Sequence, residues 1–406
     1  MARRRAGRRW GRRSRPARRA AHRDTGTGTM TSTVTLLLTG DVMPGRGIDR
    51  ILPHPGDAEL REPHVRDAGF YVRAVEERSG PLPRPVPFAW PWGAALAAMD
   101  VVHPDARIVN LETSVTRSRR FARGKTIHYR MHPDNLPMLL AARPDVCVLA
   151  NNHVLDFGRS GLVDTVTALT HAGVAAPGAG HDAAQAARPA TVPLGQGRRL
   201  LVFAAGSATS GIPEDWAAAP DRPGVRLLPD LSAAGAEEIL AEVAAVRRPG
   251  DVVVFSVHWG TNWGYQVPAE QVRFARTLVE HGVDLVHGHS SHHPRPIEVH
   301  HGRLILYGCG DLLNDYEGIS GFERYRGDLR LLYAPTLDAD TGELTGLRLL
   351  PLQSRRLRLQ PAGSRDRGWL AAVLGASSEP FGTHVDSHDE ENVLTVSWAR
   401  RPSPSR

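Results

Sequence analysis

Short runs of β-forming apolar residues alternate with longer stretches of helical period along most of the chain, and each apolar run ends on polar residues able to do chemistry. Thr33 to Thr39 reads Thr-Val-Thr-Leu-Leu-Leu-Thr and stops at Gly40, before Asp41. Arg107-Ile108-Val109 leads into Asn110-Leu111-Glu112, and Val146 to Ala150 leads into Asn151-Asn152-His153. Asp251 to Val257 leads into His258-Trp259-Gly260, and Val283 to Val286 into His287-Gly288-His289 with Ser290-Ser291-His292-His293 behind it. Runs this short and this apolar predict buried strands, with the polar groups held on loops at the strand ends.

Helical spacing is expected over Trp92 to Met99, Asn135 to Ala142, Gly161 to His171, Ala234 to Val246 and Ala269 to His281. Strands and helices alternating in this way predict an α/β layered fold whose functional groups gather at one edge of the sheets. Residues 53–91 carry eight prolines and interrupt the pattern, which predicts an irregular lid or substrate-facing loop. Further strands are expected at Leu329 to Leu337 and Leu347 to Leu352. Residues 30–352 thus read as the main domain and residues 353–398 as an extension packed on it, closing with a strand at Val393 to Trp398. The tail 399–406 is expected to be disordered.

Composition changes this picture little. With 406 residues and 41% apolar content the chain can bury a large core. Its net charge of +7 invites a nucleic-acid reading, but residues 1–29 hold eleven Arg and one Asp, which leaves −3 for the rest. That head lacks the apolar stretch of an export signal, even with Arg12-Arg13 in it, and Met30 is the more natural start. A nucleic-acid role rests on the head alone and is not expected. Two cysteines, Cys147 and Cys309, make no disulfide framework, and no apolar run reaches the ~20 residues of a membrane span. A cytoplasmic protein is the expectation. Lys125 is the only lysine, against 49 arginines, a bias that reads as genomic.

The ordered set of motifs resembles the bacterial capsule-synthesis family of CapA type, associated with poly-γ-glutamate. It is carried by Gly40-Asp-Val-Met-Pro-Gly-Arg46, Asn110-Leu-Glu112, Leu149 to Gly158, His258-Trp-Gly260 with Tyr265, Gly288 to Glu298 and Tyr307 to Asp311. The resemblance runs from about Thr33 to about Pro351, and the order of the motifs is its specific part. The family's fold is that of the calcineurin-like metallophosphoesterases, which implies a four-layer α-β-β-α sandwich with a site at the sheet edges.

On this resemblance Asp41 would bridge divalent ions, Glu112 would add a carboxylate, and Asn152 would ligate through its amide oxygen. His258 and one or two of His289, His292 and His293 would complete a set that suits an Mn, Mg or Fe-type ion. His153 would act as acid or base, positioned by Asp156. Met43 stands where phosphoesterases carry the His of Asp-x-His, and Ser290-Ser291-His292 stands where CapA-type proteins tend to show His-Pro-His. One ion, two, or none are all compatible with that.

The remaining candidates carry two readings each. Arg46 and Arg130 are clamps for a substrate carboxylate or phosphate, or ordinary structural arginines. Trp263 and Tyr265 wall a binding cleft, or pack. Cys309, between Gly308 and Gly310, is an available catalytic thiol or a small core residue, while Cys147 reads as core. His287 is buried or free, and His300 and His301 read as surface turn residues.

Three functions follow. The first is a metal-dependent enzyme acting on a γ-glutamyl polymer or related peptide. The second is a peptide epimerase or isomerase that moves a proton at an α-carbon on the same scaffold. The third is a non-catalytic subunit of a capsule synthase.

Overall fold

A computed structural model describes residues 32–388 and 392–399. The arginine-rich head 1–29 and all of the expected tail beyond Ala399 lie outside the described residues. Among the described residues, nine strands form one sheet in the order Thr383–His388, Val393–Trp398, Leu344–Arg355, Leu329–Asp338, Thr33–Val42, Ala106–Leu111, Val146–Val148. Asp311–Leu313 joins it beside Thr33–Val42, and Arg358–Pro361 beside Leu344–Arg355. The second sheet, of seven strands, runs Leu227–Leu228, Arg198–Ser207, Val252–His258, Leu285–His289, Arg303–Leu306, Ile297–His300, with Ala190–Gly195 on Arg198–Ser207.

Side-chain parity explains the layering. Leu36, Leu38, Ile108, Val146 and Val148 of the first sheet meet Leu200, Val202, Val252, Val254, Leu285 and Leu304 of the second in one buried cluster between the sheets. The alternate residues Leu37, Val109, Leu111 and Cys147 turn outward onto Ala95 and Met99 of helix Ala95–Val102 and onto Leu162, Val166 and Leu169 of helix Gly158–His171. In the second sheet Val253, Phe255, Val257 and Val286 face Ile239 and Val243 of helix Ala233–Val246, and Phe274, Leu278 and Val279 of helix Ala269–Glu280. Helix, sheet, sheet and helix thus stack in four layers. A strand buried on both faces has no polar face to show, which is why Val252 to Val257 is apolar without alternation.

Parallel pairing then sets where the strands stop. Thr33–Val42, Ala106–Leu111 and Val146–Val148 run parallel with Asp41 opposite Asn110 and Asn110 opposite Val148. In the other sheet His258 lies opposite both His289 and Gly206. All the motif-bearing loops therefore leave from the same edge, as ligand sites in open parallel sheets do.

One crossing joins the two sheets at that edge. The chain leaves strand Arg303–Leu306 of the second sheet and enters Asp311–Leu313 of the first, and on the way Cys309 N donates to Gly288 O (2.9 Å) while Gly310 O accepts from Asp41 N (2.9 Å). The contact is so close that a Cβ on Gly40 would stand 1.7 Å from Gly310 O. Gly310 itself has φ 73°, a left-handed conformation that glycine adopts without steric cost.

Two expectations need correcting. The insertion 53–91 is not irregular throughout, because it holds helix Gly69–Ser79, whose Val72 and Val75 are buried on the first sheet's helical layer. Nor does a boundary fall at 352: strand Leu344–Arg355 runs through it, and Val393–Trp398 pairs directly with that strand. The sequence showed the proline frequency and missed the apolar pair that lets an intervening segment fold as a helix. Among the described residues no helix is long and apolar enough to cross a membrane.

Gly40→Ala is expected to cost at least about 3 kcal/mol in denaturant unfolding, because backbone atoms on both sides of the crossing must separate. A change under about 0.5 kcal/mol, the size of an ordinary surface substitution, would show that the crossing is not a tight constraint.

Candidate metal centre and its cavity

The two sheet edges bring Asp41, Glu112, Asn152, His258 and His289 together. Single ligand atoms of Asp41, His258 and His289 all lie within 4.8 Å of one another, and all three residues are buried. His289 Nδ1 is 3.9 Å from Asp41 Oδ1, and His258 Nε2 is 3.8 Å from Glu112 Oε1 and 3.1 Å from Asn152 Oδ1. Asn110 Nδ2 donates to Asp41 Oδ1 (2.7 Å) and the Ser290 backbone N–H to Oδ2 (3.3 Å), which fix the carboxylate's orientation.

A relay of hydrogen bonds selects the tautomer of His289. The Thr39 carbonyl can only accept, so His287 Nε2 donates to it (2.8 Å) and His287 Nδ1 must accept from Ser256 Oγ (3.1 Å). Ser256 Oγ then accepts from His289 Nε2 (2.9 Å), which leaves the lone pair of His289 on Nδ1. That lone pair meets His258 Nδ1 at 2.7 Å. If Asn152 Oδ1 accepts from His258 Nε2, the two Nδ1 lone pairs face each other and repel until a proton or cation is shared between them.

The electrostatics point the same way. Burial, and then the neighbouring Asp311 carboxylate, push Asp41 up to about 7. Burial, and then Asp41, push Glu112 well above the usual carboxylate range, and Glu112 Oε2 is buried with no hydrogen-bond partner. Burial, and then adjoining imidazoles, hold His258 and His289 well below the ordinary histidine value. Neutral imidazoles, an orphaned carboxylate oxygen and acids unable to ionise together are a donor set that a divalent cation satisfies. The residues present therefore fit a divalent ion.

A cavity of about 730 Å³ opens beside this cluster, and its wall includes Asn152, His153, His292, Lys125, Tyr71 and Tyr316. Two histidines that line it, His153 and His292, are each backed by a buried carboxylate. His153 Nδ1 contacts Asp156 Oδ2 at 2.6 Å, so its Nε2 faces Glu112 Oε1 at 3.8 Å. Burial lowers His153 to about 4, while Asp156, despite its own burial, is held below its ordinary value by His153 and Lys125. His292 Nδ1 contacts Asp311 Oδ1 at 3.0 Å, and Tyr316 donates to Asp311 Oδ2 at 2.5 Å. Burial opposes charge on His292, but Asp311 prevails and raises it.

Several sequence candidates sit elsewhere than expected. Arg46 borders the cavity, but its guanidinium grips Asp315 at 2.5 and 3.1 Å and Glu62 at 2.9 Å, so it anchors the wall rather than clamping a ligand. Tyr71 of helix Gly69–Ser79 joins this network, which docks the inserted helix over the site. Arg130 donates to the Ser118 and Asp57 carbonyls beside Phe157, away from the cavity. Cys309 is packed between the sheets and burial pushes its thiol well up, so it is core and not a nucleophile. Trp263 stacks on Phe322 (4.2 Å) and Tyr265 meets His293 edge-on (4.6 Å); they brace the His292-His293 loop from outside the cavity wall. His293 accepts from the Gly264 N–H and donates to Pro294 O, apart from the carboxylates.

Sequence reasoning gave no role in the site to Asn110, Lys125, Ser256 or Asp311, although Asn110 and Asp311 stand within its motifs. Ser256 and His287 were visible as polar residues two positions before His258 and His289, hence on the same strand face. Lys125 was visible as the chain's lone lysine; its Nζ donates to Asp156 Oδ1 (2.6 Å) and to the Asn152 carbonyl.

An α/β sandwich that gathers buried carboxylates and imidazoles at one edge, under an open cavity, is an architecture suited to a divalent ion. The family model for bacterial capsule synthesis protein PGA_cap matches residues 35–316, and the chain belongs to that family. The chain is 50% identical over 363 residues to the probable polyglutamine synthesis accessory protein of Mycobacterium tuberculosis H37Rv, covering 89% of this chain and 95% of that one. It is 27% identical over 225 residues to the PGA biosynthesis protein CapA of Bacillus subtilis 168, covering 55% and 56%. The solved structure of TT1561 of Thermus thermophilus aligns with 77% of this chain and 97% of its own at 12% identity, but its TM-score of 0.34 is too low to support an inference.

The raised acids carry a prediction with a definite sign. Asp41 titrates higher folded than unfolded, so its contribution is intact below about pH 4 and is lost as pH rises through about 7. Asp41→Asn is therefore expected to stabilise the metal-free protein relative to wild type by about 2 kcal/mol more at pH 8 than at pH 5, read by thermal unfolding. A difference that does not change with pH would contradict the assignment.

Proposed function

We propose that this chain is a divalent-metal-dependent hydrolase that acts on γ-glutamyl or related peptide chains during capsule-type polymer synthesis. The observation that carries this is the convergence of buried Asp41 and Glu112, which have no arginine or lysine within ion-pair distance, with the imidazoles of His258 and His289, next to a cavity that a chain molecule can enter. Asp41, Glu112, Asn152, His258 and His289 would hold the ion, which when bound polarises a substrate carbonyl or phosphoryl oxygen and acidifies water. The substrate class comes from the family and from the printed names of the relatives, which describe accessory and biosynthesis proteins of polyglutamine and PGA.

The chain's own residues divide the remaining work. His153 presents Nε2 toward Glu112 and the cavity, and Asp156 keeps the other ring nitrogen protonated, so Nε2 can take a proton from water and return it to the leaving group. Lys125 holds Asp156 ionised and ties the Asn152 carbonyl to the same corner. Arg46, Glu62, Asp315 and Tyr71 keep the inserted helix over the cavity, which limits water access.

A second reading is favoured by one specific observation: His153, held by Asp156, and His292, held by Asp311, leave from strands of different sheets and both border the same cavity. Two such pairs suit removal of a proton from an α-carbon and its return, the chemistry of a peptide epimerase.

Manganese-loaded protein incubated with γ-glutamyl oligomers is expected to shorten them. Asp41→Ala and His258→Ala should abolish turnover, and His153→Ala should lower kcat by about 10²- to 10⁴-fold. Undiminished activity in metal-free Asp41→Ala and His258→Ala proteins would remove the hydrolase reading. Uptake of deuterium at an α-position, with no chain shortening, would select the epimerase instead.

A further inference from the structure

We infer that a second divalent-ion site, suited to zinc or another imidazole-preferring transition ion, is formed by Glu280, His300 and His301 at the far end of the second sheet. Each of the three offers a ligand atom, and those atoms lie within 4.8 Å of one another. Two imidazoles and one carboxylate are a set that zinc accepts with water completing the shell.

The donors come from two elements that pack side by side. Glu280 closes helix Ala269–Glu280, and His300 ends strand Ile297–His300 at its turn into Arg303–Leu306. His300 Nε2 meets Glu280 Oε1 at 2.6 Å, so an ion would take the place of the proton that now joins them. Consecutive side chains on an extended strand point to opposite faces. Here His301 has φ 51° and Gly302 φ 78°, and this turn brings both rings to one side, stacked with centroids 4.2 Å apart and planes inclined by 12°. A left-handed position in a tight hairpin favours Gly, Asn or Asp, so a histidine there is an unusual choice for the turn itself.

Local charge is also in order. The neighbouring Glu298 is held by Arg276 at 2.7 and 2.9 Å and meets only the far nitrogen of His300, Nδ1, at 3.6 Å, which leaves His300 Nε2 to Glu280. Glu280 is about a third exposed, so ion and water can reach it. Strand Leu285–His289 starts near this end and finishes at the buried cluster, so the two sites lie at opposite edges of the sheet. An ion here would pin the 300–303 turn to the helix that carries Phe274 and Leu278 into the core.

Zinc titration of the full chain by calorimetry, paired with thermal unfolding, tests this. Wild type is expected to bind one more equivalent than His300→Ala with His301→Ala, and Asp41→Asn with His258→Ala should keep that equivalent. His301→Ala alone should weaken it by at least about tenfold, and zinc should raise the melting temperature of wild type more than that of the double histidine variant. If the buried-cluster variant fails to fold, the exposed histidine variants still read the loss against wild type. An isotherm and melting shift unchanged in His300→Ala with His301→Ala would overturn the site, because zinc would then be binding elsewhere on the chain.

Discussion

Everything at the reactive edge follows from one electrostatic constraint: Asp41 and Glu112 are buried together, and among the described residues neither has an arginine or lysine within ion-pair distance, Lys125 and His292 acting on them only at longer range. Their ion-pair contacts are to His289, His258 and His153, all of which burial holds neutral. Taking two carboxylates out of water next to each other is unfavourable unless a proton or a cation is shared. The contrast with the rest of the molecule is instructive. Asp315 has Arg46, Asp284 has Arg247 and Arg303, and Glu298 has Arg276. In those three places the fold supplies arginine to a buried carboxylate, whereas Asp41 and Glu112 receive none within ion-pair distance.

The backbone makes this arrangement possible through the crossing at Gly40 and Gly310. That crossing holds the tip of one sheet against the tip of the other, so ligands separated by more than two hundred residues share a few ångströms. Around it, polar groups in the buried strands act in sequence. Thr39, His287 and Ser256 pass a fixed hydrogen-bond direction to His289. Asn110 does the same for Asp41 from the neighbouring strand. These residues stand outside the wall of the cavity beside the cluster, yet they decide which lone pair the site presents.

Much of the architecture was legible in the sequence, because doubly buried strands and amphipathic helices leave strong patterns. Val252 to Val257 and the helix Ala269–Glu280 were read almost to the residue. The convergence of Asp41, Glu112, Asn152, His258 and His289 was legible too, since each stands at the end of a strand or just beyond it. What was hidden depends on distance in space. Arg46 and Arg130 have the same residue type and similar neighbours, yet one meets Asp315 and the other two backbone carbonyls. Cys309 has glycine on both sides, but those glycines serve the crossing and leave the thiol in the core. Glu280, His300 and His301 come together only when a helix end and a hairpin turn pack, which no local pattern reveals.

Anomalous diffraction from crystals soaked in manganese measures the central claim directly, since it locates the ion rather than inferring it. A peak is predicted within about 2.0–2.3 Å of donor atoms from Asp41, His258 or His289, with Glu112 and Asn152 at its margin. A well-ordered site with no peak among those side chains, at manganese concentrations that saturate ordinary binding sites, would contradict the account.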